Sequence, residues 1–264
     1  MYAEVRRVEQ LSPTMVRVVL GGGELDSFEP SPATDAYINA RFIPKASPVV
    51  VPFSDDDLEA IPAELRPKPR RFTVRRWDET ARELTIDFVA HGDAGHAGSW
   101  AQRTGPGDRL QFSGPSGSYR PADDVDWHLL VGDESALPAI AASLEALPAR
   151  RRADVIAVVD NANCQIDLES DGDVAVTWLH RDTTDDPESL LPDAVAAHPF
   201  PDGTFDVFVH GEAAEVRAVR KHLLADRAVS LDGASVSPYW RRTYTDEDWR
   251  AVKRQWIAEQ AADV

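Results

Sequence analysis

Cysteine is almost absent from this 264-residue chain, and Cys164 stands alone. One thiol closes no internal disulfide and builds no thiolate zinc site. No run of about 18 apolar residues occurs, the length that a membrane-spanning helix needs. The first ten residues, MYAEVRRVEQ, lack the apolar core of a secretory signal. The expectation is a cytoplasmic protein with no membrane partner. Positive charge is also short: 28 Lys and Arg stand against 45 Asp and Glu, for a net charge of −17. Nucleic-acid binding through phosphates needs a basic face, so that partner class is set aside. The acidity itself reads as solubility or salt adaptation. What is present is a globular composition, 43% hydrophobic, over a length that fits one large domain or two small ones.

The first half alternates apolar and polar residues in short runs. Val5–Val8, Met15–Leu20, Asp35–Ile43, Arg71–Trp77, Leu84–Ala90 and Leu110–Ser113 read as strands, with Ala36, Ile38, Ala40 and Phe42 on one face. Val49 to Pro69 reads as an exposed, acidic and Pro-rich excursion, and Gly98–Gln102 as one short helix. Short strands punctuated by Gly and Pro predict an antiparallel barrel or sandwich. The polar stretch 121–126, PADDVD, marks a boundary, giving domains 1–121 and 122–264. Beyond it, strands at Trp127–Val131, Asp154–Val159, Val174–Leu179, Phe205–Val209 and Ser235–Tyr239 are separated by helices at Pro138–Ala146, Glu188–Ala197 and Ala213–Leu224. That alternation predicts a doubly wound parallel sheet, closed by an amphipathic C-terminal helix at Asp246–Glu259. The fold class expected is β + α/β.

Five stretches have chemistry to offer. Arg71-Phe72-Thr73 opens a strand, with Arg71 and Thr73 on one face and Phe72 on the other. A flavin dinucleotide needs a cation for its pyrophosphate, a hydroxyl or amide near the flavin N5, and an apolar wall. The triplet supplies these types, and it is also ordinary strand composition. Six basic residues, Arg66, Lys68, Arg70, Arg71, Arg75 and Arg76, fall within 66–76 with no acid among them. They form either a solvated edge or a site for an anion.

The turn from His91 to Trp100 is rich in glycine. Its backbone amides and Ser99 can approach a phosphate, or the turn is a hairpin with a capping serine. His91 and His96 lack a third ligand nearby, so no metal is expected. Gly132-Asp133-Glu134-Ser135 joins a strand to a helix, with Ser135 a candidate N-cap. Ligands gather at such strand ends, but Asp133 and Glu134 would repel a phosphate placed on this turn. Arg181, after Trp178, could reach a nucleotide phosphate. Tyr239-Trp240-Arg241-Arg242 is either a packed tail with snorkelling arginines or a wall beside a flavin or substrate. The aspartates at 87, 126, 160 and 206 are scattered, with no nucleophile elbow, so hydrolase chemistry has no support.

Taken together, RRFTVRRWDETARELTIDFVAHGDAGHAGSWA, PGDRLQFSGPSG, DWHLLVGDESALPAIAASLEALP and SPYWRR resemble the siderophore-interacting protein family of FAD-binding ferric-siderophore reductases. That family is similar to ferredoxin-reductase-type flavoproteins. The resemblance implies a flavin-binding barrel followed by an NAD(P)H-binding-like domain with a C-terminal extension. Its R-x-Y-T motif falls on Arg70, Phe72 and Thr73, with Arg71 a second candidate for the pyrophosphate. Phe72 stands where the family has tyrosine. Its H-G-x-x-G-P-A-S turn matches His91, Gly92 and Gly95, and His96 replaces the proline. Its G-D-E-T-A-L-P-A-I appears with Ser135 for threonine.

The residues implied at the flavin and nucleotide are Arg70, Arg71, Phe72, Thr73, His91, Gly92, Gly95, Ala97, Ser99, Trp100, Gly132, Asp133, Glu134, Ser135, Arg181, Tyr239 and Trp240. Thr73 is the catalytic candidate. Arg75, Arg241 and Arg242 are those expected to draw an anionic ferric siderophore. The implied cofactor is FAD, with NADPH, NADH or ferredoxin as electron donor and Fe(II) released in the cytoplasm. Two other readings remain: a general NAD(P)H-dependent flavin or ferredoxin-type reductase, and a non-enzymatic siderophore-binding module, for which Phe72 and His96 are the motivating departures.

Overall fold

Two compact units, Met1–Arg120 and Pro121–Val264, make up the computed structural model, which describes residues 1–90, 95–230 and 234–260. In the first unit the alternating segments become β1 (Tyr2–Ser12), β2 (Met15–Gly21), β3 (Tyr37–Phe42), β4 (Lys68–Thr73), β5 (Arg76–Asp78), β6 (Glu83–Val89) and β7 (Arg109–Ser116). A short helix, α1 (Ala97–Arg103), lies between β6 and β7. The sheet order is β4-β3-β7-β1-β2-β6-β5, with every pairing antiparallel.

The two outermost strands, β4 and β5, are joined by Val74 and Arg75 alone. A flat sheet would hold them six spacings apart, roughly 29 Å at about 4.8 Å each. Three Cα steps reach at most about 11 Å. The sheet therefore has to roll up. The same need breaks the single strand expected over Arg71–Trp77 into β4 and β5, because the chain crosses there from one end of the sheet to the other. The rolled interior is filled by Val18, Leu20, Ile38, Ala40, Phe42, Leu84, Ile86, Phe88, Leu110 and Phe112.

The second unit is a parallel sheet of β8 (Trp127–Asp133), β9 (Arg152–Val159), β10 (Asp173–His180), β11 (Phe205–Glu212) and β12 (Ser235–Trp240), in the order β10-β9-β8-β11-β12. Every residue of β8 is buried, as expected of a central parallel strand covered on both faces. Leu129, Val131, Ile156, Val158, Val207 and Val209 point to the face covered by α3 (Leu190–Ala197) and α4 (Ala213–Ala225). The residues between them, such as Leu130, Val155 and Phe208, point to the opposite face. Helix α2 (Leu137–Glu145) follows β8 and contacts it. The last helix, α5 (Asp246–Glu259), is held through Trp249 and Trp256, which cluster with Ala213.

Strand order reverses between β8 and β11. The C-terminal ends of those two strands therefore form the switch point where open α/β sheets take their ligands.

Candidate functional site

The first unit brings two sequence motifs to one end of its core. Cross-strand register sets Arg70 opposite Ala40 and Phe72 opposite Ile38, so both share the face of core residues. Arg71 and Thr73, opposite Asn39 and Tyr37, lie on the other face. The Arg71 guanidinium sits 5.1 Å over the Tyr37 ring, and Thr73 is buried. Arg70 Nη1 donates to the Pro69 carbonyl at 2.9 Å.

Phe72 is not a free aromatic wall. Its ring lies 4.4 Å from Phe88 and 5.7 Å from Phe42. Trp100 of α1 packs on the same two rings, at 5.6 Å from each. The β4 motif and helix α1, far apart in sequence, thus meet across Phe42 and Phe88.

The N-cap of α1 is His96, with no side-chain cap. Ala97 and Ser99 are buried inside the first turn, so Ser99 is not the capping serine. Gly95, just before it, has φ +82, and a Cβ built there would meet nothing within 4 Å. His91 and Gly92 lie outside the described residues.

The basic run divides by role. Arg66 donates to the Ile61 and Glu59 carbonyls and Lys68 to the Ala63 carbonyl, tying down the loop before β4. Arg75, expected to face substrate, is instead buried with its Nε 3.8 Å from Asp87. Asp87 is fully buried and also accepts both bonds of an Arg17 fork, at 2.7 and 2.8 Å. A guanidinium in this position neutralises the barrel wall and presents no charge to an incoming anion. Arg70 and Arg71 are the cations of the run that remain on the β4 motif.

In the second unit the switch point is held by carboxylates. Asp133, at the end of β8, is 1% exposed. Its Oδ1 accepts from the Ser135 amide at 2.8 Å and the Ser135 hydroxyl at 2.5 Å. Its Oδ2 accepts from the Glu212 amide at 2.9 Å and the Trp240 indole at 2.7 Å. Ser135 therefore serves Asp133, and the N-cap of α2 is Ala136, without a side-chain cap.

Glu134 accepts from Arg181 Nη1 at 2.6 Å and from the Asp160 amide at 2.9 Å. Arg181, proposed for a nucleotide phosphate, bonds Asp160 as well, at 3.0 Å. Glu212 caps α4 through Oε2 and accepts the Arg242 amide at Oε1. The Arg242 guanidinium bridges Glu215 at 3.0 Å and Glu188 at 2.5 Å. Tyr239 rests on His210, with ring centroids 4.6 Å apart. Arg241 lies 4.4 Å over the Tyr244 ring.

Close packing shapes this corner. A Cβ on Gly132 would fall 2.4 Å from Ala136 Cβ and 2.6 Å from the His210 carbonyl. One on Gly211 would fall 2.8 Å from Asp133 Oδ2. Burial raises the Glu134 carboxyl, outweighing the pull of Arg181. It pushes Glu215 up to about 7, with Asp133 adding to the effect and Arg181 and Arg242 opposing it. Burial alone would lower Arg181, but Glu134, Asp133 and Glu215 raise it above its usual value. Burial lowers His210 to about 3, so it is neutral at ordinary pH.

Sequence reasoning identified Asp133, Glu134, Arg181, Trp240 and Arg242 but not their partners Glu212 and Glu215. Glutamate at a helix start is ordinary composition, so nothing local marks those two.

The family model described as "Siderophore-interacting FAD-binding domain" matches residues 4–119, and that described as "Siderophore-interacting protein" matches 125–243. The chain is 33% identical to the ferric vibriobactin reductase ViuB of Vibrio cholerae, over 96% of this chain and 94% of that one. It is 32% identical to the NADPH-dependent ferric-chelate reductase of Escherichia coli, over 84% and 86%. Among solved structures, the siderophore-interacting protein SipS of Aeromonas hydrophila superposes with a TM-score of 0.83 at 27% identity, covering 98% of both chains. Two contiguous family matches and a relative at 33% identity along nearly the whole length place the protein: it belongs to the siderophore-interacting protein family.

Proposed function

We propose that this protein is an FAD-dependent reductase of ferric siderophores, drawing electrons from a pyridine nucleotide and releasing Fe(II) in the cytoplasm. The observation that carries the reading is the convergence of the β4 motif and α1 on Phe42 and Phe88. It brings β4, the strand that holds Arg70, Arg71 and Thr73, against α1, the helix that follows Gly95. Two guanidiniums and a hydroxyl are a donor set that suits a pyrophosphate and a flavin ring edge.

In this reading Arg70 or Arg71, on the two faces of β4, would bind the pyrophosphate. Thr73 presents its hydroxyl to the flavin N5, and Phe72 and Trp100 brace the strand and helix that position them. Bound FAD supplies a centre that accepts two electrons at once and passes them on singly. Reduction to Fe(II) weakens the hold of hard, anionic oxygen ligands on the metal, so iron leaves. Arg241, whose charge lies over Tyr244, is the residue we assign to attracting an anionic ferric chelate. The names of the Vibrio and Escherichia relatives support the reaction class, and the latter supports a reduced pyridine nucleotide as donor.

The test is anaerobic reduction of the purified yellow protein with NADPH or NADH, followed by a ferric siderophore. The reading expects bleaching of the flavin band at about 450 nm and its return as Fe(II) is trapped by a ferrous chelator. A protein that takes up no FAD, or a reduced flavin that a ferric chelate leaves unoxidised, would refute it. Arg241→Glu should slow reduction of an anionic ferric catecholate and spare a neutral acceptor. An unchanged rate with the catecholate would remove Arg241 from its role.

A further inference from the structure

Doubly wound sheets hold a dinucleotide's pyrophosphate on free amides at helix N-termini beside the switch point. Here several of those amides already have partners within the chain. At the head of α2, the Ser135 amide donates to Asp133 Oδ1 at 2.8 Å and the Ala136 amide to the Asp133 carbonyl at 2.9 Å. Pro138 has no amide hydrogen, and Ala139 and Ile140 both donate to the Ala136 carbonyl at 3.0 Å. At the head of α4, the Glu212 amide donates to Asp133 Oδ2 at 2.9 Å, and the Ala214 and Glu215 amides to Glu212 Oε2 at 2.6 and 3.2 Å.

The space is closed as well. Gly132 and Gly211 bring the ends of β8 and β11 so near that a Cβ on either would collide with Ala136, His210 or Asp133. The Trp240 indole and the Arg242 amide complete the carboxylates from the β12 side. Both helix heads therefore present a carboxylate of the chain itself where a diphosphate would need donors.

We propose that Asp133 and Glu212 are specificity-determining residues that deny the pyridine dinucleotide's diphosphate its place in the second unit, so that the electron donor is read through its nicotinamide ribotide half alone. The inference rests on the reductase reading for the identity of the donor. The consequence is that the adenosine diphosphate half adds nothing to recognition.

Three measurements on the full-length flavoprotein test this. Anaerobic flavin reduction is compared for NADH and for reduced nicotinamide mononucleotide. The expected kcat/KM values agree within about tenfold, one decade of discrimination, and a larger preference for NADH overturns the proposal. Binding of ADP-ribose is read separately by calorimetry and by thermal shift. No saturable binding is expected at millimolar concentration, and a saturable isotherm overturns the proposal even if no pyridine nucleotide reduces the flavin.

The third is Glu212→Ser, which keeps a capping hydroxyl and removes the charge. The preference for NADH over the mononucleotide should rise in this variant, provided it stays yellow and folded by circular dichroism. A folded variant with unchanged preference removes Glu212 from the assignment. Failure of the reductase reading shows elsewhere, as dithionite-reduced flavin that a ferric siderophore does not reoxidise.

Discussion

Replacing Glu215 with glutamine should change how the second unit's stability depends on pH. Glu215 is 2% exposed, in the first turn of α4. Arg242 donates to its Oε1 at 3.0 Å, and among the described residues Oε2 has no hydrogen-bond partner. Burial, helped by Asp133, raises its carboxyl from 4.5 to about 7. Between those values the folded chain holds a proton that the unfolded chain releases. Stability from this group is therefore fully present below about 4.5 and declines as pH rises toward 7. At about 1.4 kcal/mol per pH unit, the whole window amounts to on the order of 3 kcal/mol.

Glutamine keeps the shape and the acceptor for Arg242 and never ionises. Relative to wild type, Glu215→Gln should gain on the order of 2 kcal/mol between pH 5 and pH 8. Most of that gain should come before pH 7. The assay is urea unfolding at each pH, followed by tryptophan fluorescence, since Trp127 and Trp249 are buried in this unit. Comparing two proteins that differ at one residue cancels the titration of His210 and of the other carboxylates. A gap between the two proteins that stays constant from pH 5 to 8 would refute the reasoning.

The remaining predictions concern the first unit and the tail. Phe42→Ala removes the ring that Phe72, Phe88 and Trp100 share; it should cost about 3 to 5 kcal/mol in urea unfolding and weaken FAD retention on gel filtration. Arg75→Gln should destabilise the first unit by about 1 to 3 kcal/mol, through loss of a charged partner for buried Asp87, while leaving KM for a ferric chelate unchanged; a raised KM with unaltered stability would restore Arg75 to the substrate. Arg71→Gln should do the reverse, lowering FAD affinity with little effect on the apoprotein's unfolding midpoint. Trp240→Phe deletes the indole donor to Asp133 and should cost about 1 to 3 kcal/mol, read by chemical denaturation.

Much of the architecture could be read from pattern alone. Ile38, Ala40 and Phe42 alternate with polar neighbours because one face of β3 is core. The run Trp127–Val131 is apolar but for His128 because β8 is covered on both sides. What escaped was set by tertiary demands. Nothing local ends a strand at Thr73, since Val74 suits a strand well; closure of the sheet breaks the chain there. The fate of the basic run was equally hidden. Arg75 lies in the link between β4 and β5 and Asp87 on β6, and only the barrel brings them together. Likewise the turn at Asp133 and Glu134 was legible as acidic, but its resolution depends on Glu212 and Trp240, much later in the chain. Long-range ion pairs leave no periodic trace in a sequence, whereas burial does.

Strand β7 has a further consequence, for synthesis. It is the last strand of the first unit to be made, and it sits between β3 and β1. Until residue 116 has left the ribosome, the nascent chain holds two separate sheets: the β4-β3 pair, and the β1-β2-β6-β5 group. Each then has an open edge that only β7 can pair, and unpaired edges invite wrong partners. A chain with residues 109–116 still inside the ribosome would expose both edges, and one with residue 116 outside it would seal them together.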